Sequence, residues 1–170
     1  MERTQRLILV SALFVLALAP RFYILWTGSA QADDAFITYR YAESLAAGEG
    51  FVYNSGERVL GVTSPLYTLI LALFALTGAA VPTVSLGLGL LASAVTATLL
   101  FFFCRRLRLG AGSYLAPALY AFWPLAIYTD VSGMETPLFT LAGLGFFYFV
   151  FIARYRSAAL TAVVAALLRP

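Results

Sequence analysis

Three acidic residues of this 170-residue sequence lie where an apolar run meets a polar segment. Asp33 and Asp34 follow the first long apolar run, and Glu135 directly precedes the fourth. Carboxylates that converge can accept a proton from a hydroxyl or bind a divalent cation. An acid beside a helix start also serves as a cap or as a partner of the helix dipole. These three residues are the candidate reactive groups, and the structural role is the alternative for each.

Arginine supplies the cations of the same region. Arg40 and Arg58 lie in the polar segment 27–83, and Arg169 lies near the end of the chain. Because guanidinium groups bind phosphate oxygens in a bidentate manner, they would suit a lipid phosphate at a membrane surface. Solvation at a surface is the simpler explanation for Arg40. Arg21, inside the first apolar run, is expected to extend its side chain to the interface.

The residue types that are missing exclude several kinds of site. The sequence has no histidine, so a Ser-His-Asp triad and a histidine-ligated zinc are excluded within it. It also has no lysine, which excludes a P-loop lysine and a Schiff-base lysine. Its one cysteine, Cys104, forms no internal disulfide. The net charge of +3 is too small and too dispersed to indicate nucleic-acid binding.

Composition places the chain in a membrane. Hydrophobic residues make up 62% and charged residues 11%, whereas soluble domains have roughly 45–50% and about 25%. A spanning helix needs about 20 mainly apolar residues. We predict an all-α integral membrane bundle with about four complete spans and a fifth that the chain end cuts off: 7–26, 84–104, 114–128, 137–153 and 158–170.

Charge placement decides how the shorter apolar run 65–77 is interpreted. If this run does not cross, seven arginines lie on the inner side and seven of the eight acids on the outer side. If it does cross, three of those arginines move outside, against the positive-inside rule. We therefore predict a cytoplasmic N-terminus and an external loop 27–83 that contains surface-lying or re-entrant helices. The seven inner arginines are Arg3, Arg6, Arg105, Arg106, Arg108, Arg154 and Arg156.

The external loop has its own helix signals. The Asp33–Asp34 pair opens a helix over 35–47, and Gly48 stops it. Ser64 is the predicted N-cap, with Pro65 at the first position of a second helix. The tyrosines of the loop are interpreted as an interfacial aromatic belt.

Several motifs together resemble a known family. The stretches DDAFITYRYA at 33–42, GFVYNSGERV at 50–59 and TSPL at 63–66 resemble the first external loop of the GT-C glycosyltransferases. The likeness is greatest to the bacterial branch that uses polyprenyl-phosphate sugars, which includes arabinofuranosyl- and mannosyltransferase-like proteins. SGMETPLF at 132–139 resembles the second external acidic motif of that branch, and LRP at 168–170 resembles the opening of its RP-E/D-G stretch. The likeness covers almost the whole chain, in order.

The resemblance implies a function and a place in the cell. The chain would be the N-terminal part, residues 1–170, of one GT-C transmembrane domain in a bacterial inner membrane, with its active site on the periplasmic face. The whole enzyme would transfer a sugar from a polyprenyl-phosphate donor to a cell-envelope glycan, lipid or protein acceptor, with inversion at the anomeric carbon. This piece alone would be inactive.

The resemblance also implies roles for the acids and arginines. Asp34, with Asp33 as the close alternative, would be the catalytic base. Some relatives use a divalent metal, which Asp34 and Glu135 would hold here, and others use no cofactor. The residues implied in donor or acceptor binding are Glu135, Arg40, Arg58 and Arg169.

Two other functions stay open at this point. The chain could be a truncated, inactive remnant of such an enzyme, which the genomic sequence after Pro170 would reveal. It could also be a transporter fragment whose acids bind a coupling ion. Transporter sites lie near the bilayer midplane on broken helices, whereas the predicted spans contain no acid. This distribution disfavours transport.

The predicted topology can be tested by cysteine labelling. In a variant without Cys104, cysteines placed at Ser55 and Ser132 should react with an impermeant thiol reagent added to intact cells. A cysteine at Gly110 should react only after permeabilisation, because Gly110 lies in the inner loop. Labelling of Gly110 from outside would contradict the surface-lying interpretation of residues 65–77.

Overall fold

The computed structural model describes residues 3–28, 31–57, 59 and 61–169, with backbone only at positions 3 and 6. Every regular element in this part of the chain is a helix, which confirms the all-α prediction. There are eight such helices: α1 (Arg3–Thr27), α2 (Asp33–Ala46), α3 (Pro65–Ala75), α4 (Val81–Arg106), α5 (Gly112–Phe122), α6 (Pro124–Val131), α7 (Thr136–Phe151) and α8 (Tyr155–Leu168).

Two of the helices are long and apolar enough to cross a membrane, which supports the membrane class. They are Leu7–Thr27 within α1 and Val81–Arg106, the whole of α4. Helices α6 and α7 pass the same test as a pair but are bent by 117° at the turn between them, as in a broken span or a re-entrant loop. The predicted total of four complete spans stays a prediction.

The predicted third span, 114–128, is wrong as one continuous helix. The chain is helical on both sides of Trp123, but Trp123 itself is extended, with a ψ angle of 116°. Proline disfavours the helical conformation in the residue before it and has no N–H to continue the helical hydrogen bonds. Pro124 therefore ends α5 and opens α6.

This break creates a binding place for Arg21. Without an N–H at Pro124, the carbonyl of Tyr120 lacks its usual helical donor. The Arg21 guanidinium donates to the carbonyls of Tyr120 and Ala121 and forms a 2.9 Å ion pair with Asp130 on α6. Tyr120 also donates its hydroxyl to Asp130, at 3.0 Å.

The expected extension of Arg21 to the interface is therefore wrong. Arg21 is 0% exposed and Asp130 is 3% exposed. A buried charge is tolerated when it is paired and hydrogen-bonded, and each of these two residues satisfies the other. The pair joins α1 to α6 across the bundle.

The bundle has two chemically different ends. Phe103 near the end of α4 packs on Tyr148 and Phe151 near the end of α7. We call this the arginine end; it carries Arg105, Arg106, Arg108, Arg154 and Arg156. The opposite end holds the starts of α4 and α7, helices α2 and α3, and the α6–α7 turn. We call it the acidic end, because the acids of the described residues lie there: Asp33, Asp34, Glu43, Glu49, Glu57, Asp130 and Glu135.

The two inner arginine groups whose side chains the structure describes thus lie at one end, as the charge argument requires. Which side of a membrane this end faces stays a prediction.

Helices α2 and α3 pack together at the acidic end. Gly48, with a φ angle of +81°, ends α2 as predicted. Ser64 precedes Pro65 at the start of α3, but its side chain makes no capping hydrogen bond. Eleven residues of α3 rise only about 17 Å, about half of the roughly 30 Å hydrocarbon core. The core that α2 and α3 share contains Ala35, Tyr39, Ala42, Tyr67, Leu71 and Leu168.

Close packing of α4 on α6 predicts an effect of substitution at Gly89. A Cβ atom there would collide with the carbonyl oxygen of Asp130, while one at Gly87 on the same helix would meet nothing within 4 Å. We expect Gly89→Ala to lower the free energy of unfolding by about 1–3 kcal/mol, the usual cost of overpacking. Thermal unfolding in detergent measures this. Gly87→Ala is the control, and it should be neutral or stabilising by up to about 1 kcal/mol. Equal melting temperatures of the two variants would contradict the packing argument.

Candidate functional site

A buried group of hydroxyls organises the acidic end. The carbonyl oxygen of Gly133, in the α6–α7 turn, accepts hydrogen bonds from Ser85 Oγ at 2.8 Å, Tyr67 Oη at 3.1 Å and Tyr39 Oη at 3.3 Å. The two tyrosine hydroxyls also lie 2.8 and 2.9 Å from Ser85 Oγ. We call these four groups the Gly133 cluster. It ties α2, α3 and α4 to one turn of the chain.

Only glycine fits at the centre of this cluster. Gly133 has a φ angle of +82°, in the left-handed region, where a side chain is disfavoured. A Cβ atom would also collide with the Tyr39 hydroxyl. One residue earlier, the carbonyl of Ser132 accepts a 2.9 Å hydrogen bond from the N–H of Ala32, just before α2. The start of α2 is thereby held against the α6–α7 turn.

This arrangement brings two of the predicted acids to one cavity. Asp34 on α2 and Glu135 at the start of α7 are 101 positions apart in the sequence, yet both line a cavity of about 180 Å³. The cavity lies between α2, the chain before α3 and the α6–α7 turn. Its described lining consists of Asp34, Ile37, Thr38, Gly61, Val62, Thr63, Met134 and Glu135.

Glu135 is the more unusual of the two acids. It is only 4% exposed, and its side chain makes no capping hydrogen bond to α7. Within the described part of the chain its carboxylate has no hydrogen-bond donor and no ion-pair partner. Because the side chain makes no capping hydrogen bond, a structural cap does not explain Glu135. Burial, with a smaller contribution from this carboxylate, raises the pKa of Tyr67 and keeps its hydroxyl protonated.

The other predicted site residues that the structure describes do not line this cavity. Asp33 is exposed. Arg40 is exposed and donates from Nε to the carbonyl of Tyr53 at 3.1 Å. Arg58 lies outside the described residues. Arg169 is exposed, but it follows Leu168, which is buried in the core with Tyr39 and Tyr67. Arg169 therefore lies at the acidic end, as the sequence predicted.

Two further groups change the interpretation of this region. Asp130 is occupied by Arg21 and Tyr120, so it is not available to the cavity. Ser132 is 3% exposed, so a cysteine there would be shielded from a labelling reagent; Ser55 is exposed and is the usable position for this test.

A second cavity adjoins the first. It measures about 360 Å³ and shares Ile37 and Gly61 with the smaller one. An exposed aromatic ring, Tyr53, lies beside an amide and a carboxylate on its wall. The tyrosine ring can stack on an apolar ring face, and the amide and carboxylate can hydrogen-bond to hydroxyls. The remaining described lining is Tyr41, Asn54, Glu57 and Val59.

The described residues contain no group of three or more His, Cys, Asp or Glu side chains arranged to hold a metal ion. The cavity has the two carboxylates of Asp34 and Glu135 in its described lining. Magnesium is often bound by one or two carboxylates together with substrate phosphates and water, so a metal at this place would depend on the substrate for further ligands.

Comparison with known proteins adds no assignment: no protein-family model, no curated protein and no solved structure matches this chain.

Sequence reasoning missed the residues that build the site. Tyr39 and Tyr67 were interpreted as interfacial tyrosines, but they are 3% and 0% exposed. Ser85 carries no pattern of its own in an apolar helix. The sequence did contain one signal, a tyrosine on each of the two loop helices. If both were buried, each hydroxyl would need a hydrogen-bond partner.

Titration of the Gly133 cluster gives a test. Burial raises the pKa of Tyr39 and of Tyr67 above the ordinary value of 10.0. Below pH 10 the hydroxyls are protonated in the folded and unfolded states, and the cluster is fully stabilising. As the pH rises above about 10, the unfolded state loses protons first, so stability falls. We expect the Tyr39→Phe/Tyr67→Phe double variant to show a shallower loss of melting temperature between about pH 9.5 and 11.

The control is the double variant Tyr114→Phe/Tyr155→Phe, which changes two exposed tyrosines. It should keep the wild-type pH dependence. Since the chain has no lysine, no amine side chain masks the tyrosine titration. Parallel pH profiles for the two double variants would contradict the assigned role of the cluster.

Proposed function

We propose that this chain forms part of a GT-C-type membrane glycosyltransferase that transfers a sugar from a polyprenyl-phosphate donor at the external membrane face. One observation carries the proposal: Asp34 and Glu135, from the two acidic motifs of the resemblance, line the same cavity. The cavity is smaller than the roughly 300–1,000 Å³ of a complete small-molecule site. On this proposal, further protein or lipid completes its wall.

Asp34 is the proposed general base. It is exposed at the edge of the cavity, where an acceptor hydroxyl can reach it. The hydroxyl proton passes to the Asp34 carboxylate while the hydroxyl oxygen bonds to the anomeric carbon. The bond from that carbon to the phosphate oxygen breaks, and its electron pair leaves with the phosphate. Attack opposite the leaving group inverts the anomeric centre. Asp33 does not line the cavity, which favours Asp34 for this role.

Glu135 is the proposed electrostatic group of the site. Its buried charge has no cationic partner in the described chain, so it favours positive charge in the cavity. An oxocarbenium-like transition state carries such charge on the sugar. If a divalent metal takes part, Asp34 and Glu135 are the residues that would hold it, and the metal would stabilise the departing phosphate.

The phosphate of the donor needs cations as well. Arg169 is a candidate for this, because Leu168 fixes the end of α8 at the acidic end. Arg58 keeps its proposed role from the resemblance alone. Arg40 donates a hydrogen bond to the carbonyl of Tyr53. This contact gives Arg40 a structural role in addition to any contact with the polyprenyl-phosphate sugar.

The proposal is tested by carboxamide substitutions in the full-length enzyme. Membranes carrying each variant would be given polyprenyl-phosphate mannose or polyprenyl-phosphate arabinofuranose, and sugar transfer would be measured. Asp34→Asn should lower turnover about 10²–10⁴-fold, the usual contribution of a general base. Glu135→Gln should also lower transfer, with membrane insertion unchanged. Asp33→Asn should have the smaller effect of the two aspartate variants.

Glu43→Gln is the matched control, because Glu43 is an exposed acid of the same helix that does not line the cavity. It should keep wild-type turnover. Near wild-type turnover of both aspartate variants would refute the base assignment, and normal transfer by Glu135→Gln at limiting donor would remove Glu135 from the site. We expect the 170-residue chain alone to insert without transferring sugar, because its cavity is smaller than a complete small-molecule site; sugar transfer by it would contradict this expectation. Treatment with EDTA, followed by magnesium or manganese, separates the metal-dependent mechanism from the metal-free one.

Transport is the alternative with an observation in its favour. The predicted spans contain no acid, but Asp130 lies just after the predicted span 114–128 and within the apolar helix α6. An acid inside an apolar bundle is typical of ion pathways. Asp130 is neutralised by Arg21, however, and the carboxylate without a partner is Glu135 in the cavity. Sugar transfer therefore stays the preferred function, and a remnant would show neither activity.

A further inference from the structure

The arginine end contains a groove that the proposed sugar transfer does not use. It lies between the end of α4 and the second half of α7 and has a volume of about 390 Å³. Its described lining combines two adjacent guanidinium groups with three large apolar or aromatic side chains. These residues are Leu99, Phe102, Arg105, Arg106 and Tyr148.

The geometry of the two arginines is unusual for a simple surface. Consecutive helix residues point about 100° apart, so neighbours such as Arg105 and Arg106 do not ordinarily face one cavity. Both line this groove. In the described part of the chain neither guanidinium makes an ion pair or a side-chain hydrogen bond. Within the described residues their ten N–H donors have no side-chain acceptor, so a ligand can accept hydrogen bonds from them.

The surrounding charges also favour an anionic ligand in this groove. Arg108 follows on the chain, and the α7–α8 turn brings Arg154 and Arg156 to this end. All described acids lie at the opposite end. A helix C-terminus favours nearby cations. This effect explains one or two of the arginines, but it does not explain why Arg105 and Arg106 line the same groove. The local field selects an anion.

The apolar part of the lining identifies the anion as part of a lipid. Leu99 and Tyr148 lie one to two turns from the ends of α4 and α7, toward the middle of the bundle. A free phosphate would gain nothing from them, whereas a phospholipid would place its acyl chains along them and its phosphate at the arginines. Arginine suits a phosphate diester through paired hydrogen bonds.

We infer that this groove binds an anionic phospholipid. Arg105 and Arg106 hold its phosphate, and the part of an acyl chain nearest the headgroup packs on Leu99 and Tyr148. The site is independent of the proposed glycosyl transfer, because it lies at the other end of the bundle. Its expected effect is to fix α4 against α7.

Native mass spectrometry of the purified chain in non-ionic detergent tests the inference. Short-chain phosphatidylglycerol should bind with at least tenfold higher affinity than phosphatidylcholine of the same chain length. Arg105→Gln/Arg106→Gln should lower phosphatidylglycerol affinity at least tenfold. The matched control is Arg154→Gln/Arg156→Gln, which removes the same charge at the same end outside the groove and should lower affinity less than threefold.

Two further arms test the remaining parts of the inference. Leu99→Trp fills the groove without changing charge and should weaken phosphatidylglycerol binding; if the arginine variant fails to fold, this variant still decides. Glycerol 3-phosphate should not compete at concentrations that saturate the lipid. Equal losses in the two double-arginine variants, unchanged binding by Leu99→Trp, or competition by glycerol 3-phosphate would each overturn the assignment.

Discussion

The acidic end of this protein depends on one buried carbonyl oxygen, that of Gly133. In an apolar bundle such an oxygen must be given donors, and here the donors come from three different helices. Satisfying it fixes α2, α3 and α4 around the α6–α7 turn. The placement of Asp34 and Glu135 at one cavity follows from this, since within the described residues no hydrogen bond or ion pair of either side chain brings the two together.

A second polar anchor works on the same physical basis. Pro124 interrupts the helix and leaves carbonyl groups without donors, and Arg21 supplies the missing hydrogen bonds while pairing with Asp130. The break and the arginine are thus complementary: the charged side chain would be costly in an unbroken apolar helix pair, and the break would be costly without it. Both anchors bind elements that lie far apart in the sequence.

Much of the local structure was predictable from the sequence. The end of α2 at Gly48 and the start of α3 at Pro65 followed from residue types alone. The break at Trp123 was equally predictable from Pro124, but counting apolar residues concealed it.

The long-range contacts were not predictable in this way. Arg21 and Asp130 are 109 positions apart, and no periodicity links them. For the candidate site, motif likeness indicated Asp34 and Glu135. The tyrosines that position them were interpreted as interfacial residues, because tyrosine suits a membrane interface and a buried hydrogen bond equally well.

The separation of charge between the two ends also makes the molecule a large electric dipole. A cell membrane carries a potential that is negative inside, and moving one elementary charge through 100 mV changes the free energy by about 2.3 kcal/mol. An arrangement with the arginines inside and the acids outside lowers the energy of both groups in that field, and the inverted arrangement raises it. In a membrane with such a potential, the field therefore favours the orientation with the arginine end inside, in addition to the charge-dependent choice made during insertion.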